Sequence, residues 1–229
     1  MTLNIVSDSM ELDDVLIYLG HASFCIKANG YAIFIDPYKM PDSVKDSADL
    51  ILITHAHFDH CSKEDIAKVA KKNSTIIAAT GCLDANEYPN LVVAEPGFKT
   101  NFHGIGIEAV PAYNIAKEKQ SFHPRAKMGV GYIVDAQGMR IYHAGDTDFI
   151  PEMKELKEIY AALLPVGGKY TMDEDEAILA VRAIKPKFFV PMHYKRLLGE
   201  DGAKRAEEKF MKELPNCRIM KEQDPSFSF

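Results

Sequence analysis

The string His55-Ala56-His57-Phe58-Asp59-His60 follows directly on the apolar run Leu50-Ile51-Leu52-Ile53-Thr54. A short run of this kind, rich in β-branched residues, is the pattern of a strand buried on both faces. Side chains at the carboxyl end of such a strand are held rigidly by the sheet. His55 and His57 are two apart and share a face of extended chain. Asp59 and His60 come after Phe58, where the backbone must turn toward a helix beginning near Ser62. Two of the four donors can then face one cation and two its neighbour. Neutral imidazole and carboxylate suit zinc, manganese or iron. The chain is therefore expected to place a sheet edge, with strand ends converging on it, around a pair of metal ions.

Four residues do not fill two coordination shells, because a catalytic metal takes about three protein ligands plus an open position. Further donors are expected on loops that follow strands. Two segments qualify. His143-Ala144-Gly145-Asp146-Thr147-Asp148 follows Arg140–Tyr142, and His193 lies in Pro191-Met192-His193-Tyr194, directly after Phe188–Val190.

Strand patterns recur at Val15–Leu19, Ser23–Lys27, Tyr31–Ile35, Leu50–Thr54, Thr75–Ala79, Leu91–Ala94, Gly106–Val110, Gly131–Val134, Arg140–His143, Ala161–Leu164 and Phe188–Pro191. Asn29-Gly30 predicts a type I′ turn between two of them. Ser62 with Asp65 predicts a capped helix running to about Lys72. Pro151 opens a short helix. Asp173 caps one that runs to Ile184, before Pro186, and Ala203–Leu214 is amphipathic. Strands inside and helices outside fit a layered α/β fold, and 1–229 is expected to form a single domain.

With 229 residues and 47% hydrophobic content the chain can bury a real core. Its net charge of −6 and the absence of a Lys/Arg block disfavour a nucleic-acid surface. Segment 1–8 lacks the basic and apolar regions of a secretory leader, and no stretch has the roughly 18 apolar residues of a membrane span. Cys25, Cys61, Cys82 and Cys217 form no C-x-x-C pair and are read as reduced thiols; Cys61, next to His60, is a minor ligand candidate. The expected compartment is the cytoplasm.

Taken in order, Asp36 at a strand end, the 55–60 string, a histidine in the middle of the chain, Gly145-Asp146-Thr147 and His193 resemble the metallo-β-lactamase superfamily over most of the chain. The resemblance implies a four-layer αββα sandwich of two mixed sheets, with the site at one edge. Leu19-Gly20-His21-Ala22-Ser23-Phe24, Pro165-Val166-Gly167-Gly168 and Thr171-Met172 are similar to the small metal-dependent hydrolases related to ascorbate-6-phosphate lactonase. The chain has no room for a β-CASP insertion. The flavodiiron branch carries a glutamate at or beside the position of Ala56, which weakens a redox reading.

By this resemblance His55, His57 and a third histidine hold one metal, Asp59, His60 and His193 hold the second, and Asp146 bridges both. The cations are Zn²⁺, with Mn²⁺ as the alternative. Relatives carry the third histidine in a Pro-Ala-x-His context, where this chain has Pro111-Ala112-Tyr113-Asn114. His123 is the favoured replacement. Asn114 is a weaker oxygen donor, and His103, on a turn with Gly104, is a third candidate. Asp36 is either a turn residue before Pro37 or the acceptor for a metal-bound imidazole. His21 is a turn residue or a donor to substrate. His143 is read as packed in the core.

The implied chemistry is hydrolysis by a metal-activated water, with Asp59 or Asp146 carrying the proton to the leaving group. Lys169, Tyr170, Tyr194, Lys195 and Arg196 follow site strands and offer an anion contact. The expected substrate is a small, anionic ester, lactone or phosphoester. The rivals are an RNA or cyclic-nucleotide phosphodiesterase and a non-catalytic metal-binding scaffold. A homo-oligomer stays open.

Overall fold

The structure, a computed structural model, describes residues 11–223. Segment 1–8, read above for a leader, lies outside them. After a single helical turn, α1 (Leu12–Val15), come β1 (Leu16–Gly20), β2 (Ser23–Ala28), β3 (Tyr31–Ile35), β4 (Ala48–Ile53), α2 (Lys63–Val69), β5 (Ala70–Ala79) and β6 (Leu91–Ala94). The second half follows with β7 (Lys99–Phe102), β8 (Ile105–Pro111), β9 (Val130–Ala136), β10 (Met139–His143), β11 (Ile159–Pro165), α3 (Glu174–Ile184), β12 (Phe188–Met192) and α4 (Lys195–Glu213).

Each half makes one six-stranded sheet, in the orders β1-β2-β3-β4-β5-β6 and β12-β11-β10-β9-β8-β7. Both are mixed. In the first, β1, β2 and β3 pair antiparallel and β3 through β6 parallel. In the second, β10, β11 and β12 run parallel and β7 through β10 antiparallel. Alternate side chains of a strand face opposite ways, so each sheet buries two faces. Phe24, Ile33 and Leu50 of the first sheet meet Tyr132, Ile141 and Leu163 of the second in a central core. Phe34, Ile51 and Ile53 pack outward against Ile66 and Val69 of α2. Tyr142, Leu164 and Phe189 pack outward against Ile178 of α3 and Phe210 of α4. The expected four-layer αββα sandwich is the fold observed.

Two cross-sheet hydrogen bonds close the edge where the strand ends gather. The Val130 N–H donates to the Thr54 carbonyl at 3.0 Å and the His193 N–H to the His21 carbonyl at 2.9 Å. Beneath them the buried Tyr132 hydroxyl reaches from β9 to the carbonyls of Ile53 and Ile77, at 3.1 and 3.2 Å.

The sequence expectation differs from the structure at element ends. Strand β7 escaped it, because Lys-Thr-Asn-Phe is a polar edge strand without a buried face. Helix α2 stops at Val69 and not Lys72, since Ala70 already pairs with β4. Helix α4 begins at Lys195, eight residues before the expected Ala203, and is kinked at Gly199, whose φ of 66° breaks the helical pattern. The Asn29-Gly30 turn has positive φ at both residues, as type I′ demands. Among the described residues no helix is long and apolar enough to cross a membrane.

Tyr132→Phe removes the hydroxyl that bonds both strands under the closed edge. A loss of about 1–2 kcal/mol is expected, read as a lower urea midpoint with unchanged m-value.

Candidate metal centre

At this edge the side chains of eight residues form two groups, each with its ligand atoms mutually within 4.8 Å: His55, His57, His123 and Asp146, and His21, Asp59, His60 and His193. They come from the ends of β1, β4, β10 and β12 and from the loop before β9. Asp146 joins the groups. Its Oδ2 lies 3.4 Å from His123 Nε2 and 3.3 Å from His193 Nε2, and its Oδ1 lies 3.4 Å from His60 Nε2. His57 Nδ1 lies 3.1 Å from His123 Nε2.

The partners behind the rings assign the tautomers. Fully buried Asp36 accepts from Thr54 N (2.8 Å), Thr54 Oγ1 (2.6 Å) and His60 Nδ1 (2.7 Å). This is the imidazole-orienting geometry, and it sits on a backbone with φ of 46°. Because the Thr54 hydroxyl donates to Asp36, it accepts from His55 Nδ1 at 3.0 Å. His123 Nδ1 donates to Asn114 Oδ1 at 2.8 Å. In His55 and His123 this leaves Nε2 bare and turned toward the centre, and His60 Nε2 is turned the same way, toward Asp146 Oδ1.

Burial holds the His55 imidazole well below its ordinary pKa, with His60 adding to the effect. It is neutral at pH 7, as a ligand must be. Burial alone would lower His60 too, but the Asp146 and Asp36 carboxylates outweigh it and hold the ring well above its usual value. Burial would raise Asp146, yet the His193 and His60 imidazoles keep it well below the carboxylate range. Asp59 is lowered against its burial by His193 and His21.

These donors fit a pair of cations. His55 Nε2, His60 Nε2, both ring nitrogens of His193 and Asp146 Oδ1 are buried without a hydrogen-bond partner. Buried polar atoms are otherwise paired. The separations of 3.1–3.4 Å match the edge of a tetrahedron with ~2.1 Å metal–nitrogen bonds, ~3.4 Å.

The backbone is strained where the ligands converge. His21, Asp36 and His193 all have positive φ, a conformation non-glycine residues keep only when the surroundings enforce it. Two glycines make room. A Cβ at Gly145 (φ +65°) would meet the Val130 carbonyl oxygen at 2.7 Å, and one at Gly167 the His193 carbonyl oxygen at 2.6 Å.

The other expected residues fall into place differently. Asn114 stands behind His123 and not in the ligand ring. His21 joins the second group, its Nε2 at 3.0 Å from Asp59 Oδ2. His143 is packed, with Nε2 on the Ala22 carbonyl. His103 stacks on Tyr31, away from both groups. Cys61 belongs to neither group, its thiol on the Cys82 carbonyl. Tyr194 is buried with its hydroxyl on Glu207, Lys195 pairs with the same Glu207, and Lys169 is exposed over the Tyr170 ring. None of these three lines the cavity at the centre. Arg196 lies over Tyr38, whose ring is 5.8 Å from His21.

That cavity, of about 360 Å³, opens beside the first group and is walled by Ala112, Phe122, Pro124, Thr80, Ser121 and Lys127. Lys127 is its one lysine or arginine wall residue. Sequence reading passed over Lys127, Thr54 and Asp148. Thr54 ends the strand before His55, and Asp148 lies in the Gly145–Asp148 string, so position next to a ligand was the signal available.

Residues 15–193 match the model of the Beta-lactamase superfamily domain. The chain belongs to the metallo-β-lactamase superfamily. It is 35% identical over 192 residues to the UPF0173 metal-dependent hydrolase of Thermoplasma acidophilum, covering 78% of this chain and 82% of that one. With the UPF0173 metal-dependent hydrolase of Thermococcus onnurineus it shares 38% over 197 residues, 77% and 83% of the two chains. A crystal structure of a metal-dependent hydrolase from Parabacteroides distasonis superposes with a TM-score of 0.80 at 34% identity, covering 91% and 93%. A metallo hydrolase from Ignicoccus hospitalis gives 0.70 at 27% identity, covering 90% and 94%.

Asp36→Ala strands three buried donors at once. A loss of at least about 3 kcal/mol is expected, read by chemical denaturation; a variant as stable as the parent would contradict the bonding described.

Proposed function

We propose that the chain, a metal-dependent hydrolase of the metallo-β-lactamase superfamily, works with two divalent cations on a small anionic ester, lactone or phosphoester. The observation that carries this reading is Asp146, whose two carboxylate oxygens face donors of both groups. In it His55, His57, His123 and Asp146 would hold one cation, and Asp59, His60 and His193, with the same Asp146, would hold the other. Imidazole with carboxylate favours Zn²⁺, with Mn²⁺ as the alternative. When bound, the cations supply Lewis acidity and lower the pKa of water toward neutrality.

The rest falls to the chain's own groups. Asp59 is one-fifth exposed, and its Oδ2 accepts from His21 Nε2. Its carboxylate is the group placed to take a proton and return it to a leaving group, with His21 fixing its direction. Asp146 is sealed among imidazoles and serves as holder. A substrate entering beside the first group meets an apolar wall at Phe122, braced by Tyr170 with ring centroids 4.7 Å apart. The Lys127 ammonium then faces its anionic group. The cavity suits a small molecule, and the net charge of −6 disfavours a nucleic-acid substrate. Four unpaired cysteines suit the reducing cytoplasm.

Metal analysis of the purified chain is expected to find two divalent cations, zinc foremost, with turnover lost on chelation and restored by Zn²⁺. The panel to screen is lactones, thioesters and phosphodiesters. His57→Ala and Asp146→Ala are expected to lower metal content and cut turnover at least about a hundredfold. Full activity in either sinks the assignment.

Lys127→Ala is expected to raise KM about tenfold, ~1.4 kcal/mol, for substrates carrying a carboxylate or phosphate. KM for neutral esters should not change. An equal effect on both classes would remove Lys127 from substrate binding.

A further inference from the structure

The Asn114 side chain is fully committed. Its Oδ1 accepts from His123 Nδ1 at 2.8 Å and from the His123 N–H at 3.2 Å. Its Nδ2 donates to Asp148 Oδ1 at 2.9 Å and to the Tyr170 carbonyl at 3.0 Å. Two donors and two acceptors are the whole capacity of a carboxamide. A flipped amide would set N–H against the His123 N–H and oxygen against a carboxylate. Its orientation is therefore decided by its surroundings, and so is the tautomer of His123.

Asp148 stands behind it, fully buried. Its Oδ2 accepts from the N–H groups of Ile115 and Ala116 at 2.8 and 2.9 Å. The Lys119 ammonium lies 3.5 Å from Oδ1 and bonds the Thr171 carbonyl, which ties the same loop to the approach of α3. A buried carboxylate is costly unless paired and fully bonded. Here it is both, and what it organises is the loop that delivers His123.

We propose that Asn114 and Asp148 are positioning residues of the metal centre: the carboxamide, oriented by the buried carboxylate, sets the tautomer and aim of His123 and so governs the occupancy of the first cation site. This rests on the two-cation reading above. The chemistry explains why an amide stands at 114. One face must accept and the other donate, and a carboxylate there would confront Asp148 with a like charge.

The test uses the full chain, stripped of metal and titrated with Zn²⁺ against a chromophoric chelator. N114A and N114D are expected to lose about 10–100-fold in affinity at one of two sites and none at the other. In the double variant N114D/D148N the like charges are gone: the new amide at 148 donates to the new carboxylate and still accepts from Ile115 and Ala116, while the Tyr170 carbonyl loses its donor. Affinity is expected to recover part of what N114D loses. Parent-like binding by N114D, or a double variant no better than N114D at equal thermal stability, overturns the proposal. A second measurement stands apart from metal binding. Long-range ¹H–¹⁵N spectra of the metal-free parent are expected to show His123 protonated at Nδ1 and bare at Nε2, and N114A to show a mixture of tautomers. The opposite tautomer in the parent, or no change in N114A, also overturns it, whichever variants fold. If the parent shows the expected tautomer but takes up fewer than two cations, the two-cation reading fails and the positioning of His123 stands.

Discussion

Between two apolar sheets, this molecule gathers imidazoles and carboxylates whose inward atoms have nothing to bond but one another. His55 Nε2, His60 Nε2 and Asp146 Oδ1 are buried without partners. Leaving each so costs on the order of 1–3 kcal/mol, and the chain carries several side by side. The cost is tolerable where cations complete the cluster, because ligation satisfies the bare lone pairs and neutralises the carboxylates together. That constraint explains the rest of the edge. Every ring nitrogen that faces away from the centre in His55, His60 and His123 is tied to an oxygen, so that the other one is aimed inward.

The sandwich meets this demand through its topology. Parallel strands β4, β10, β11 and β12 release their loops at the same edge, and Thr54–Val130 and His21–His193 backbone bonds bind the two sheets there. Most of the donors thus sit just beyond strand ends, where the sheets fix their backbone. Strain follows from the same crowding. His21, Asp36 and His193 pay in backbone conformation for the aim of their side chains.

The two halves of the centre are supported differently. His60 rests on a charged acceptor, Asp36, inside the first sheet, whereas His123 rests on a neutral amide that borrows its orientation from Asp148. The first support is built into strand ends. The second spans a loop, 114–128, that also supplies Phe122 and Lys127 to the cavity wall. Ligand delivery and substrate recognition therefore share one segment of chain.

Much of this was legible in the residues themselves. The buried-strand run before His55 and the order of the later motifs carried the layered fold and brought His55, His57, Asp59, His60, Asp146 and His193 forward as candidates, because strand periodicity and donor chemistry are local properties. The polar edge strand β7 and the early start of α4 were not legible, since pairing and packing decide them. The roles of His123 and Asn114 were left as alternatives by sequence. The structure sets His123 in the ring and Asn114 behind it, because which side chain points inward depends on Asp148 and Tyr170, 34 and 56 residues away. Likewise Lys127 and not Lys169 or Tyr194 lines the cavity. Residue type and spacing determine which donors are on hand; only the closing of one sheet on the other decides which of them meet.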